Sequence, residues 1–339
     1  MKKRILIPLF IILALISIFV GVHDIAIMDI IRCDTDKLNI LSLTRIPRLI
    51  SIVIAAVAMS IAGVIMQQIS NNKFVSPTTA ATVDSAMFGV LISMLIFNKA
   101  TLSQKMLMGF IFALIGTFLF MTMLNKIKVK NIIFIPLVGI MLGNVIGSIT
   151  DFFAYKYDLV QVMSSFTQGK FSMVIKGNYE MLYLTVPLII IAALYANKFT
   201  IIGMGEDIAL NLGINYSMVS NIGLIIVAIL SAIVVITVGN IPFIGLIVPN
   251  IVSLFNGDNV AKNIWNTALF GACFVLICDI IGRIIIFPYE IPISLTVGVI
   301  GSIIFLYLIF RRKKNEGSKI TQKAVGLLLR HRASGSAGV

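Results

Sequence analysis

The sequence predicts an all-α integral membrane protein with about ten transmembrane helices. Of its 339 residues, 59% are hydrophobic and only 12% charged. A water-soluble domain uses about 25% charged residues. The mean hydropathy is +1.04, and the apolar residues gather in runs near the ~20 that a helix needs to cross a hydrocarbon layer. A soluble enzyme is therefore excluded as the leading reading.

The runs follow in order. The first, 5–22, comes after Met1-Lys-Lys-Arg4; it is longer than a signal-peptide core and lacks a small-residue cleavage site, so it reads as an uncleaved first span. A polar stretch from Asp24 to Lys37 separates it from the second, 49–69, bounded by Arg48 and Lys73. A shorter third, 79–97, holds Asp84, and the fourth and fifth occupy 106–125 and 131–150. A mixed stretch, 151–180, precedes a sixth at 181–197. Residues 208–257 carry no charge and are too many for one helix. Gly239-Asn240-Ile241-Pro242 divides them into a seventh span, 217–238, and an eighth, 242–256. The ninth is 264–286 and the tenth 292–310. These spans form one membrane domain, 1–314, followed by a polar tail, 315–339, that reads as disordered or appended.

The net charge of +13 would suggest nucleic acid in a soluble protein. No basic face interleaved with aromatics is visible, so nucleic acid is set aside and the basic residues are read as flanks of spans in the bilayer. With both termini inside, thirteen Lys and Arg before the tail fall inside and ten outside. Arg45 and Arg48 lie outside, against the bias, and become candidates for a role. Cys33, Cys273 and Cys278 form neither a disulfide framework nor a CxxC pair. The sequence has no GxxxxGK[ST] loop, no HExxH, and only His23 and His331, both outside the runs. No metal site and no catalytic constellation are expected.

Some residues do stand out. Asp279 and Arg283 are four apart on the ninth run, so they share a helix face, either as a structural ion pair or with Arg283 also reaching a partner. Asp84 is an acid in a span, open to a structural or a proton-coupling reading. Asn144 and Ser148, beside Gly139, Gly143 and Gly147, make a mildly polar stripe that suits a pore wall or a helix contact equally. The segment Gly203 to Gly213 sits between the sixth and seventh runs. Glu206 and Asp207 favour a helix start, Gly213 a helix end, and Ile208 and Leu212 share a face. The loop thus carries a two-turn helix that is either a lid over its own bundle or a plug into a soluble partner.

Six ordered motifs then carry a resemblance: Arg45-Ile-Pro-Arg48; Ala62-Gly-Val-Ile-Met-Gln67 with Asn72; Gly205-Glu-Asp with Leu212-Gly213; Pro242-Phe-Ile-Gly-Leu-Ile-Val-Pro249; Asp279-Ile-Ile-Gly-Arg283; and Glu290-Ile-Pro292. With them the chain resembles, over residues 1–314, the FecCD/BtuC-like permease subunits of type II ABC importers for iron–siderophore, haem and cobalamin. The resemblance implies the type II permease fold, two permease subunits (identical or paralogous) around one path, and a bacterial plasma or inner membrane with both termini cytoplasmic. It implies a cytoplasmic ATPase dimer that binds ATP and Mg, while this chain binds no cofactor and is not itself an enzyme. An extracytoplasmic substrate-binding protein or lipoprotein would deliver the cargo. Gly205, Glu206, Asp207, Leu210, Leu212 and Gly213 would form the ATPase coupling loop. Arg45, Arg48 and Arg283 would dock the binding protein, and Asn144 and Ser148 would line the path. Phe74-Val-Ser-Pro-Thr-Thr79, Gly257-Asp-Asn259 and Ile286-Phe-Pro-Tyr-Glu290 are similar to a subgroup moving catecholate-type ferric siderophores such as petrobactin or anguibactin. A haem or cobalamin permease of the same family is the alternative, and an ion-coupled secondary transporter a further one. The chain departs from the family pattern at Asn250 and Ser253, where His and Arg are common, and at Asp84.

Overall fold

The computed structural model describes residues 3–21, 35–97, 99–126, 134–174, 176–177 and 179–308, and every regular element among them is helical. The chain divides into a large unit, Met1–Gly298, and a short one, Val299–Val339, described only as far as residue 308. The polar tail, Cys33 and both histidines lie outside the described residues.

Ten apolar helical segments match the ten predicted runs. They are α1 (Lys3–Phe19), α2 (Ile46–Ile69), α3 (Thr82–Ile96), α4 (Leu102–Lys126), α5 (Phe134–Lys156), the bent pair α6 (Thr185–Leu194) and α7 (Ala196–Ile202), α9 (Tyr216–Val238), α10 (Ile244–Asn256), α11 (Val260–Ile284) and α12 (Ile293–Leu308). Between α7 and α9 lies the short α8 (Glu206–Asn211). Among the described residues, five helices are long and apolar enough to cross a membrane, and the bent pair, broken by 60° and counted from Glu180, makes a sixth. The other four are shorter apolar helices.

The boundaries differ from the runs for local reasons. α2 is prolonged backwards by a π-helical turn, Leu41–Arg45, and a short helix, Thr35–Ile40, so the whole span begins before residue 49. α3 is short because 74–81 is buried coil rather than helix. There Ser76 is fully buried, its amide bonds the Thr79 hydroxyl, and Ala81 adopts φ 58°. The predicted break after Val238 is present. Gly239 at φ 91° ends α9, and a Cβ there would sit 2.6 Å from the Gln168 carbonyl oxygen.

Helices α2, α9 and α11 form the centre: 72% of the most apolar window of each is buried, against 28% for α4 and 22% for α5. α2 packs on α9, α10 and α11. Lipid offers no hydrophobic drive for this, so close backbone approach must supply the packing. At the α2–α10 crossing a Cβ on Gly63 would lie 1.9 Å from the Gly245 carbonyl oxygen. Between α2 and α11, a Cβ on Gly271 would meet Ser60 Oγ at 2.1 Å. The first of these contacts yields a test. Gly63→Val should destabilise the protein by about 1–3 kcal/mol or more, read as a lower thermal midpoint in detergent. Gly147→Ala, with nothing within 4 Å of the added carbon, should leave the midpoint unchanged or slightly raised. Equal midpoints for both variants would refute the crossing.

Candidate functional site

Two clusters sit at opposite ends of α2 and α11. At one end, where α2 starts and α11 finishes, four charged side chains interlock. Arg48 Nη1 donates to both carboxylate oxygens of Glu290, each at 2.8 Å, and its Nη2 donates to Asp279 Oδ1 at 2.8 Å. Asp279 also accepts from Arg283, one helical turn on, through its other oxygen. Arg283 then donates to the Ser17 carbonyl at 2.9 Å, the Val20 carbonyl at 2.7 Å and the Ser17 hydroxyl at 2.6 Å. Arg45 donates to the same Val20 carbonyl. Two arginines therefore cap the carboxyl end of α1, where orphan carbonyls and the negative pole of the helix dipole favour cations. Gly21 leaves room for the cap: a Cβ there would lie 1.6 Å from Arg45 Nη1 as it stands.

The cluster is largely dehydrated. Asp279 is 4% exposed, Arg283 3%, Arg45 8% and Arg48 12%, whereas Glu290 is 24% exposed. The resemblance implies an outward role for Arg283, but its guanidinium is turned inward against α1 and Asp279. Arg45 and Arg48 instead line a cavity of about 190 Å³ with Thr44, Phe171, Ser172 and Glu290. A second cavity of about 250 Å³ adjoins it and is bounded by Arg48, Lys170, Asp279 and Glu290. Lys170 is brought there by backbone pairing: its amide donates to the Val238 carbonyl at 2.9 Å, and the Asn240 amide donates to the Phe166 carbonyl at 3.1 Å. Sequence reasoning did not single out Lys170. Its neighbourhood depends on this non-local pairing, which no local pattern signals.

At the other end, Gly205 to Gly213 forms α8 with the carboxylates of Glu206 and Asp207 in its first turn and Gly213 at φ 74° after its last. The Ile214 and Gly213 amides close the helix on Ala209 and Leu210 carbonyls, both at 2.9 Å. Ala209 is fully buried, while Ile208, Leu210 and Leu212 are 44–60% exposed. The base of this loop is fastened to α2 and α11. Gly203 abuts Gln68, whose Oε1 would be 1.8 Å from an added Cβ, and the Val260 amide donates to Thr200 Oγ1 at 3.1 Å.

Nearby, Lys73 pairs with Asp258 at 2.6 Å, and Asn250 Nδ2 donates to the Lys73 carbonyl at 2.7 Å. Ser253 Oγ lies 3.5 Å from Lys73 Nζ. The two departures from the family pattern thus both meet the loop after α2. The third departure, Asp84, packs on Gly143 of α5, where an added Cβ would lie 2.4 Å from its Oδ2. Asn144 and Ser148 lie on exposed surface of α5. No group of three metal-binding side chains occurs among the described residues.

The FecCD transport family matches residues 9–311. The petrobactin import system permease protein YclN of Bacillus subtilis is 58% identical over 313 residues, covering 92% of this chain and 99% of that protein. The petrobactin import system permease protein FatD of Bacillus anthracis is 37% identical, covering 90% and 89%. The ferric-anguibactin transport system permease protein FatD of Vibrio anguillarum is 36% identical, covering 80% and 86%. Among solved structures, a chain assigned to the metal-chelate type of ABC transporters, in an inward-facing conformation, aligns with a TM-score of 0.78 at 20% identity, covering 91% of this chain and all of that one.

The charge cluster makes a direct prediction. Asp279→Ala leaves two dehydrated arginines without their shared carboxylate, which should cost about 3–5 kcal/mol. A fall in the thermal midpoint of the purified protein far larger than that caused by Asp258→Ala would bear this out, and equal small shifts would overturn it.

Proposed function

The chain belongs to the FecCD transport family, and from that premise we propose that it is the membrane permease subunit of an ABC importer for a ferric siderophore of the catecholate type. The observation that carries this is the 58% identity, over nearly the full length of both chains, to a petrobactin permease. The arginine end faces outward and both termini are cytoplasmic. The chain makes and breaks no bonds; partner ATPases bind ATP and Mg and hydrolyse it. Cells lacking the chain should regain uptake of radiolabelled iron from ferric petrobactin, but not from a ferric hydroxamate or haem, when the chain is restored. Vanadate should stop that uptake in vesicles. Uptake that survives vanadate but fails with an uncoupler would reject the ABC assignment.

Each cluster has a role in this reading. The exposed Ile208, Leu210 and Leu212 make an apolar face on a cytoplasmic loop, which suits a plug into a groove on the ATPase better than a lid turned inward. Glu206 and Asp207 begin its helix, and Gly205 and Gly213 supply its left-handed turns. Arg45 and Arg48 meet acidic side chains of the extracytoplasmic binding protein, while Arg283 serves behind them by fixing Asp279. Asn144 and Ser148 are polar on a face of α5 that would otherwise read as lipid-exposed, so they line the path shared with a second permease subunit.

Gly213→Val places a β-branched side chain at φ 74°, a conformation such residues avoid. It should lower uptake at least severalfold while the assembled complex still hydrolyses ATP; normal uptake per ATP would remove the coupling role. Arg45→Gln combined with Arg48→Gln should weaken binding-protein affinity by about tenfold and flatten its salt dependence, measured on the assembled importer in nanodiscs.

A further inference from the structure

We propose that Glu290 is a competitor carboxylate in cis: it holds the position on Arg48 that an acidic side chain of the docking protein takes, and Lys170 receives it when the exchange occurs. The inference rests on the docking role of Arg48 and specifies how that site discriminates.

Arg48 carries two acids of different standing. Asp279 is 4% exposed and is gripped from its other side by Arg283, so it cannot leave without stranding two buried cations. Glu290 is 24% exposed, and both hydrogen bonds described for it go to one nitrogen of Arg48. It follows Phe287 and Tyr289, which are 62% and 75% exposed, so few packed contacts resist movement of its segment. Of the two acids, Glu290 is the one that can be displaced.

The cavities give both carboxylates somewhere to go. The Arg48–Glu290 pair forms the shared wall of the two chambers. The chamber bearing Arg45 can admit an incoming carboxylate beside Arg48. The other, of about 250 Å³, bears Lys170, which has no salt bridge among the described residues and stands ready to pair with Glu290. Among the described ion pairs at these chambers, Arg48 joins both Asp279 and Glu290, and Arg283 joins Asp279. Two carboxylates on the same edge of Arg48 would repel each other, so accommodation of one requires departure of the other. A neutral side chain gains nothing from Arg48 that would offset the loss of Glu290. Docking is thereby made selective for an acid.

The test measures affinity of the binding protein for the assembled importer in nanodiscs at low and high salt. Glu290→Gln should tighten binding by roughly tenfold, and the gain should persist at high salt, where a long-range charge effect would be screened. Lys170→Gln should weaken binding in the otherwise unaltered importer. It should have no further effect in the Glu290→Gln background, because there is then no carboxylate to receive; this non-additivity is the signature of the exchange. Glu290→Asp, which keeps the charge but shortens the reach, should also tighten binding and serves where the glutamine variant fails to assemble. Unchanged or weaker binding by the Glu290 variants, or additive losses with Lys170, would overturn the exchange. Those results alongside weaker binding by the Arg45/Arg48 double variant would leave the docking role standing. No effect of that double variant would remove the docking role and the exchange with it.

Discussion

One carboxylate organises an entire end of this protein. Asp279 has little access to water and accepts from Arg48 of α2 on one side and Arg283 of α11 on the other. Removing an acid from water is expensive, and one arginine repays the cost only when geometry and additional hydrogen bonds are favourable. Here the extra bonds are supplied by carbonyls at the end of α1, so the same interaction that neutralises Asp279 fixes where three helices converge. Glu290, at the approach to α12, closes the cluster from the more exposed side. Both cavities at that end share the Arg48–Glu290 pair as a wall.

Elsewhere the bundle is held by shape. Most of its buried surface is aliphatic, and in lipid that gives no preference for helix over solvent. Specificity comes instead from places where a side chain is missing. Gly63 admits the Gly245 backbone, Gly116 admits Ser85, Gly139 admits the Thr79 carbonyl and Gly271 admits Ser60. Several buried hydroxyls are paired within the helices: Ser51 with the Pro47 carbonyl, Ser60 with that of Ala56 and Thr117 with that of Ala113, while Thr82 and Thr117 meet across α3 and α4 at 2.7 Å. These polar groups enter a low-dielectric interior at little cost because each has a partner.

The sequence made the helix inventory legible because hydropathy is a strong and local signal. Gly239 and Pro242 broke the long uncharged stretch where the chain does turn, and α8 has its acidic start and glycine end where short-range capping rules put them. What was not legible depends on partners distant in sequence. The coil 74–81 is mostly buried and is held irregular by bonds between Ser76 and Thr79 and by Ala81 at φ 58°, none of which hydropathy signals. The bend after Leu194 has no Gly or Pro at the break, so composition gave no warning. Spacing alone could place Asp279 and Arg283 on one face. It could not reveal that Arg283 turns toward α1, that Arg48 completes the pair from 231 residues away, or that Lys170 lies beside them.

The two clusters are joined by the same two helices. α2 carries Arg48 near its start and Gln68 near its end, against which Gly203 of the loop segment packs. α11 carries Asp279 and Arg283 near its end and Val260 at its start, whose amide is held by Thr200. The 24 residues of α2 extend about 36 Å at 1.5 Å per residue, enough to connect both faces of a bilayer. Midway along the pair the Ser60 hydroxyl sits against Gly271, so the two helices approach closely there. On the proposed reading, a displacement of the α8 loop reaches the arginine end through α2 and α11, which carry Arg48, Asp279 and Arg283. The element with freedom to respond differently is Glu290, which belongs to neither helix. On the proposed reading, this is why the exchangeable carboxylate sits beyond α11 rather than on it: the struts hold the cations fixed in relation to one another, and the ligand on Arg48 changes.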